Sequence, residues 1–265
     1  MKSDIYLGTI LLELNRWNSK KPVVKVSEWL ECIQNDGFDG LELWENHILK
    51  AEIPSKEVQA LKEAQVPVSI YNSYAGLGPE DEKQRKKAAE YIKKLGAGGV
   101  KYNFGSEEKM LDTYIENLKK WDSMLPEDCR LLCECHGGTI MEDPALAKKV
   151  FSKLAKDHYQ VIVHCFDEPD KLKEWFQNLG SRITHAHVSI KDEAGRGVRL
   201  RQAPERTAEN LQLMKNYDYR GTFTLEFTEG LRSKDENVED LYRAAVDDLK
   251  YLKAKWKEIS KNEKS

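Results

Sequence analysis

IYLGTILLELNRWNSKK, residues 5–21, sets a β-rich apolar run at the start of the chain and then turns polar. In a doubly wound open sheet, a glycine-rich phosphate turn normally follows the first strand. The ELNRWNSKK after Leu12 contains no glycine. The remaining topology for a chain that alternates strand and helix is a closed parallel barrel, and the downstream pattern supplies the count. Further β-rich runs are GLELW (Gly40 to Trp44), VPVSIYN (Val66 to Asn72), VKYNF (Val100 to Phe104), RLLCEC (Arg130 to Cys135), VIVHCF (Val161 to Phe166), ITHAHVSI (Ile183 to Ile190) and TFTLEF (Thr222 to Phe227). With Ile5 to Leu12 they make eight. Between them lie stretches such as EDEKQRKKAAEYIKKLG and DPALAKKVFSKLAK, with apolar residues at three- and four-residue spacing. Asp143-Pro144 opens one helix, and Gly96 and Gly180 close two others. The expectation is an α/β fold, a single-domain (β/α)8 TIM barrel over residues 1–265, with the lysine-rich tail fraying from about residue 257.

The chain is 40% hydrophobic and 33% charged, enough apolar material for one large core beneath a solvated surface. No window approaches the apolar run that a membrane span needs, so no membrane partner is expected. Lys and Arg number 42 against 45 Asp and Glu, and the net charge of -3 offers nucleic acid no bulk attraction. The N-terminus lacks a signal-type cleavage site, which makes a cytoplasmic location the expectation. Cys32, Cys129, Cys133, Cys135 and Cys165 form an odd, scattered set that suits reduced, mostly buried thiols. Assembly as a homo-oligomer stays open.

Barrel chemistry gathers at the C-terminal ends of the strands, and polar residues cluster there in the second half of the chain. Period-two alternation assigns their faces. In TFTLEFT, Thr222, Thr224, Glu226 and Thr228 share one side, with Phe223, Leu225 and Phe227 on the helix side, so Glu226 points into the mouth. On the fifth run Glu134 and His136 share a face with Leu132, which turns Cys133 and Cys135 towards the helices. On the sixth, His164 and Asp167 fall on opposite faces; His164 is the better ligand candidate and Asp167 the reserve. On the seventh, His185 and His187 face inward with His187 nearer the mouth. Two carboxylates and two imidazoles in one cavity are costly to bury without a neutralising cation. Glu134, His164, His187 and Glu226 therefore suit one divalent metal: Mn, Zn, Co or Fe(II). Glu42, with Lys101 as partner, reads as structural; His185 as barrel filler, support for His187 or substrate contact; His158 as an exposed loop residue. His47 and His136 are candidate substrate contacts, and Lys191, Arg196, Arg199 and Arg201, on the longest connection, suit a phosphate or carboxylate group or a solvated loop.

ECHGGT at the fifth strand, HCFDEPD at the sixth, THAHVSIKD at the seventh, GTFTLEFTEG at the eighth and FDGLELWENH at the second resemble the xylose isomerase-like barrels. That superfamily holds sugar and sugar-phosphate isomerases and epimerases, and endonuclease IV. The resemblance implies one divalent metal held by Glu, Asp, His and Glu on the last four strands, which fall here on Glu134, His164, His187 and Glu226. His164 departs from the usual aspartate, and AGRGVRLRQ replaces the Pro-Gly-rich stretch common after the seventh strand. The implied chemistry is isomerisation or epimerisation of a small sugar-like substrate, with Glu134 and Glu226 removing and returning a proton through an enediolate. A metal-dependent lyase or dehydratase shares the first step, and a non-catalytic sugar-binding barrel is the third reading.

Overall fold

A computed structural model of the protein describes residues 3–261. Its barrel strands are β1 (Ile5–Gly8), β2 (Gly40–Trp44), β3 (Val68–Asn72), β4 (Gly99–Tyr102), β5 (Arg130–Glu134), β6 (Tyr159–His164), β7 (Ile183–Val188) and β10 (Thr222–Leu225). They close in the order β1-β10-β7-β6-β5-β4-β3-β2, each pair parallel, with β1 bonded to both β2 and β10. Around them run α1 (Leu30–Asp36), the short α2 (Asn46–Leu49), α3 (Pro54–Glu63), α4 (Glu82–Leu95), α5 (Leu111–Asp122), α6 (Pro144–Lys153), α7 (Pro169–Leu179), α8 (Pro204–Asn216) and α9 (Val238–Lys261). This is a single-domain (β/α)8 TIM barrel. No described helix is long and apolar enough to cross a membrane.

Alternation sorts the side chains into two cores. Tyr6, Ile70, Leu132 and Ile162 form a cluster of their own inside the barrel, while their strand neighbours Leu7, Tyr71, Cys133 and Val161 join the larger core under the helices. The inner cluster is the apolar floor of the site, because Leu132 and Ile162 lie one inward step before Glu134 and His164. The helix punctuation forms as expected: Asp143 accepts from the Leu146 amide at 2.6 Å with Pro144 in the first turn, and Gly96 caps α4 at φ 67°.

Three boundaries differ from the pattern. The first run leaves the sheet at Gly8, and Thr9–Leu12 winds into a buried 3-10 turn whose Thr9 hydroxyl accepts the Trp44 amide at 2.9 Å. The connection after β7 carries a two-stranded antiparallel hairpin, β8 (Ile190–Lys191) with β9 (Gly197–Val198). The tail does not fray at residue 257: α9 stays helical to Lys261 because Trp256 packs on Phe223 at 5.4 Å and Ile259 is buried. Residues 262–265 lie outside the described part. All five cysteines are free; Cys32 alone is exposed.

Candidate metal centre

The strands end where the chemistry begins. Glu134 is the last residue of β5, His164 the last of β6, His187 the penultimate residue of β7, and Glu226 follows β10 directly. Register aligns them: His164 lies opposite His187, which lies opposite Thr224. One ligand atom from each of Glu134, His164, His187 and Glu226 falls within 4.8 Å of the other three. Glu134 Oε1 is 3.2 Å from His164 Nε2 and 3.3 Å from His187 Nδ1, and His187 Nδ1 is 3.4 Å from Glu226 Oε2. The last two atoms are buried and make no hydrogen bond. Buried polar atoms are rarely left so, and two facing each other within a carboxylate-imidazole ring fit a cation between them.

Two of the four ring members, Glu134 and His187, are held from behind. Glu134 Oε2 accepts from Lys101 Nζ at 2.8 Å and from Asn103 Nδ2 at 3.0 Å, which turns Oε1 towards the imidazoles. Burial alone would push the Glu134 carboxyl up; the Lys101 ammonium, helped by His164 and His187, holds it well below the usual carboxylate range. With its proton on Nε2, His187 donates to Glu42 Oε2 at 3.1 Å and presents Nδ1 to the centre. Glu42 is fixed in turn by Asn72 Nδ2 at 2.7 Å and lies 3.4 Å from His185 Nε2. Burial opposes charge on His187 too, yet Glu42 and Glu226 raise its pKa well above the ordinary imidazole value. A cation at the centre would take over the charge that His187 now supplies.

Several expectations are corrected here. Lys101 partners Glu134, not Glu42, because it stands opposite Leu132 on β5, one inward step below that carboxylate. Glu42 supports His187, a role the local pattern did not reveal. Asp167 lies outside the ring, 38% exposed and 3.7 Å from Lys171 on α7, so the sixth-strand member is His164. His47, a candidate substrate contact, is 2% exposed in α2, with Nε2 at 3.2 Å from the Thr9 carbonyl and Nδ1 at 3.4 Å from Glu13. His185 is fully buried between the Thr222 and Thr224 hydroxyls and stacks on Tyr6. Burial pushes its ring down to about 4, which keeps it neutral. Arg196 forks onto Asp192 of its own loop, and Arg199 is taken by Glu229 and Asp247. Lys191 and Arg201 are exposed, and none of the four basic residues touches the ligand ring. His158 is half-buried, 3.0 Å from Asp122. His136 is exposed beside the site, its ring 6.3 Å from that of His164.

Among solved structures, 3-keto-D-glucoside 4-epimerase from E. coli in its apo form is similar, with a TM-score of 0.65 and 18% identity over 96% of this chain and 100% of that one. The IOLI protein, solved with a zinc atom, aligns with a TM-score of 0.69 and 13% identity over 96% of this chain and 99% of that one. Endonuclease IV from Thermus thermophilus follows with a TM-score of 0.62 and 14% identity, over 97% of this chain and 100% of that one. At these identities the likeness is one of fold. No curated protein matches the chain significantly in sequence. The family model described as "Xylose isomerase-like TIM barrel" matches residues 30–254, and the chain belongs to that family.

Proposed function

We propose that this chain is a divalent-metal-dependent isomerase or epimerase that moves a proton on a small sugar. The unpaired, buried Nδ1 of His187 and Oε2 of Glu226, inside a ring completed by Glu134 and His164, carry the reading. The Glu2His2 donor set suits Mn, Zn, Co or Fe(II). A cation held there would polarise a carbonyl and the adjoining hydroxyl of the sugar and so acidify the carbon between them.

The chain's own groups do the rest. Glu226, through the carboxylate oxygen not turned to the cation, removes the carbon-bound proton, and the electron pair moves onto the carbonyl oxygen to give an enediolate. Glu134, tied by Lys101 and Asn103, is a weak base; it passes a proton taken from solvent water to the enediolate carbon, and Glu226 gives the proton it removed back to solvent. Return to the opposite face of the same carbon is epimerisation, and return to the neighbouring carbon is isomerisation. The buried floor of Tyr6, Ile70, Leu132 and Ile162 keeps water from beneath the site. A net charge of -3 favours a small molecule over nucleic acid as partner.

Proton NMR of metal-loaded protein with candidate sugars in deuterated water tests this. Carbon-bound hydrogen should exchange for deuterium with no loss of mass, and Glu226→Gln should abolish the exchange. Expulsion of water or another leaving group would show a lyase instead, and turnover of nicked DNA would overturn the small-molecule reading.

A further inference from the structure

The barrel carries a second cavity, at the end away from the ligand ring. One inward step before Leu132, Ile162 and Thr224 stand Arg130, Gln160 and Thr222, at the first or second position of β5, β6 and β10. With Thr184 of β7 they form the polar side of a cavity of about 430 Å³ at the N-terminal ends of these strands. Phe176, Ile183, Tyr217 and Tyr219 line its apolar side. Small-molecule sites span about 300–1,000 Å³ and pair an apolar wall with a few convergent polar groups. Gly99, the β4 partner of Arg130, adds no side chain to this layer. Leu132, Ile162 and His185, all fully buried, stand between the cavity and the ring of Glu134, His164, His187 and Glu226. The two places are separate.

Three charged side chains line this cavity, and two of them satisfy each other. Arg220 makes three hydrogen bonds to Asp218, at 3.0, 3.1 and 2.9 Å. Arg130 is the third: it is half-buried, and among the described residues its guanidinium makes no hydrogen bond and no ion pair. An arginine with a purely structural role in such a position finds acceptors in the chain. Arg182, on the loop entering β7, does so with the carbonyls of Leu154, Lys156 and Tyr159. The Gln160 amide spends its oxygen on the Thr184 hydroxyl at 2.6 Å, and among the described residues its N–H groups have no acceptor. Uncommitted guanidinium and amide donors on one side of a cavity form a donor set for an oxyanion, because the guanidinium fork matches the paired oxygens of a phosphate or carboxylate.

We propose that this cavity binds a small organic oxyanion, a phosphate or carboxylate with an apolar body, held by Arg130 and Gln160. Calorimetry on the full-length chain tests it with phenyl phosphate, benzoate, inorganic phosphate and uncharged phenol. Phenyl phosphate or benzoate is expected to bind once per chain, about tenfold more tightly than inorganic phosphate or phenol, and the tighter of the two identifies the anion. Arg130→Gln should weaken that binding about 10- to 100-fold with the circular dichroism spectrum unchanged, and Gln160→Leu about three- to tenfold. Glu134→Ala/Glu226→Ala, which dismantles the ligand ring at the other end of the barrel, should bind the probe as wild type does. No binding of either organic anion would overturn the proposal, and so would phenol binding as tightly as they do. Affinity unchanged in Arg130→Gln, or in Gln160→Leu should the first variant not fold, would overturn it. Binding lost in Glu134→Ala/Glu226→Ala would place the anion at the ligand ring and overturn it as well.

Discussion

Glu42 faces away from the open side of the ligand ring, yet it decides which nitrogen of His187 faces inward. Removing such a carboxylate costs a metal-binding histidine its orientation and basicity. Glu42→Ala is expected to weaken zinc or manganese binding about 10- to 100-fold by calorimetry, while Glu42→Gln, which keeps an acceptor, loses less. Unchanged affinity in Glu42→Ala would count against Nδ1 as the ligand atom. Lys101 is the second supporting residue. Lys101→Met leaves Glu134 buried without its counter-charge and should destabilise the metal-free protein by about 3–5 kcal/mol in urea unfolding. Adding Glu134→Gln should restore most of the loss; equal stability of the single variant and wild type would show that the pair contributes nothing. The inward set Glu134, His164, His187 and Glu226 was legible because alternation is local. The pairings of Lys101 and Glu42 were not, because they depend on register between strands and across the barrel, which no short pattern contains.

The connection after β1 shows the same limit for an element. Its polar stretch offered no structural signal beyond the missing glycine, yet Glu13 closes it by accepting the Val23 and Val24 amides at 2.9 and 3.2 Å. Burial pushes the Glu13 carboxyl up to about 7, and its oxygen is 3.4 Å from the unpaired Nδ1 of His47. A carboxyl raised in the fold binds its proton more tightly there than in the unfolded chain. The stability it contributes is complete below pH 4.5 and is lost as pH rises through about 7. The loss is on the order of 3 kcal/mol. Glu13→Gln keeps one oxygen to accept from Val23 and turns an amide donor to His47 at the cost of the Val24 bond, so the variant should lack this decline in urea unfolding between about pH 5 and 8. A decline as steep in the variant as in wild type would assign it elsewhere. Strand number and order were readable from apolar runs. Strand ends were not: Thr9–Leu12 is as β-like as Ile5–Gly8 and is pulled into a turn by the Thr9 hydroxyl.

For the whole molecule, closure of the barrel depends on tight contact at β10. A Cβ on Gly221 would lie 2.2 Å from the Thr184 carbonyl oxygen, a backbone atom that cannot step aside. Gly221→Ala should therefore cost about 1–3 kcal/mol in thermal unfolding, while Gly137→Ala, whose Cβ would meet nothing within 4 Å, should be close to neutral. Equal melting of the two would mean that β7 and β10 tolerate separation. The barrel itself was legible because eight strand-helix repeats without a phosphate turn leave one economical topology. This closure brings four strand ends together as one candidate cation site. Elemental analysis after reconstitution with zinc or manganese and extensive dialysis tests it most directly. One divalent ion per chain is expected in wild type, falling to near zero in Glu134→Ala/Glu226→Ala with the fold retained by circular dichroism. A wild-type protein that retains no metal, or a double variant that retains as much as wild type, would contradict it.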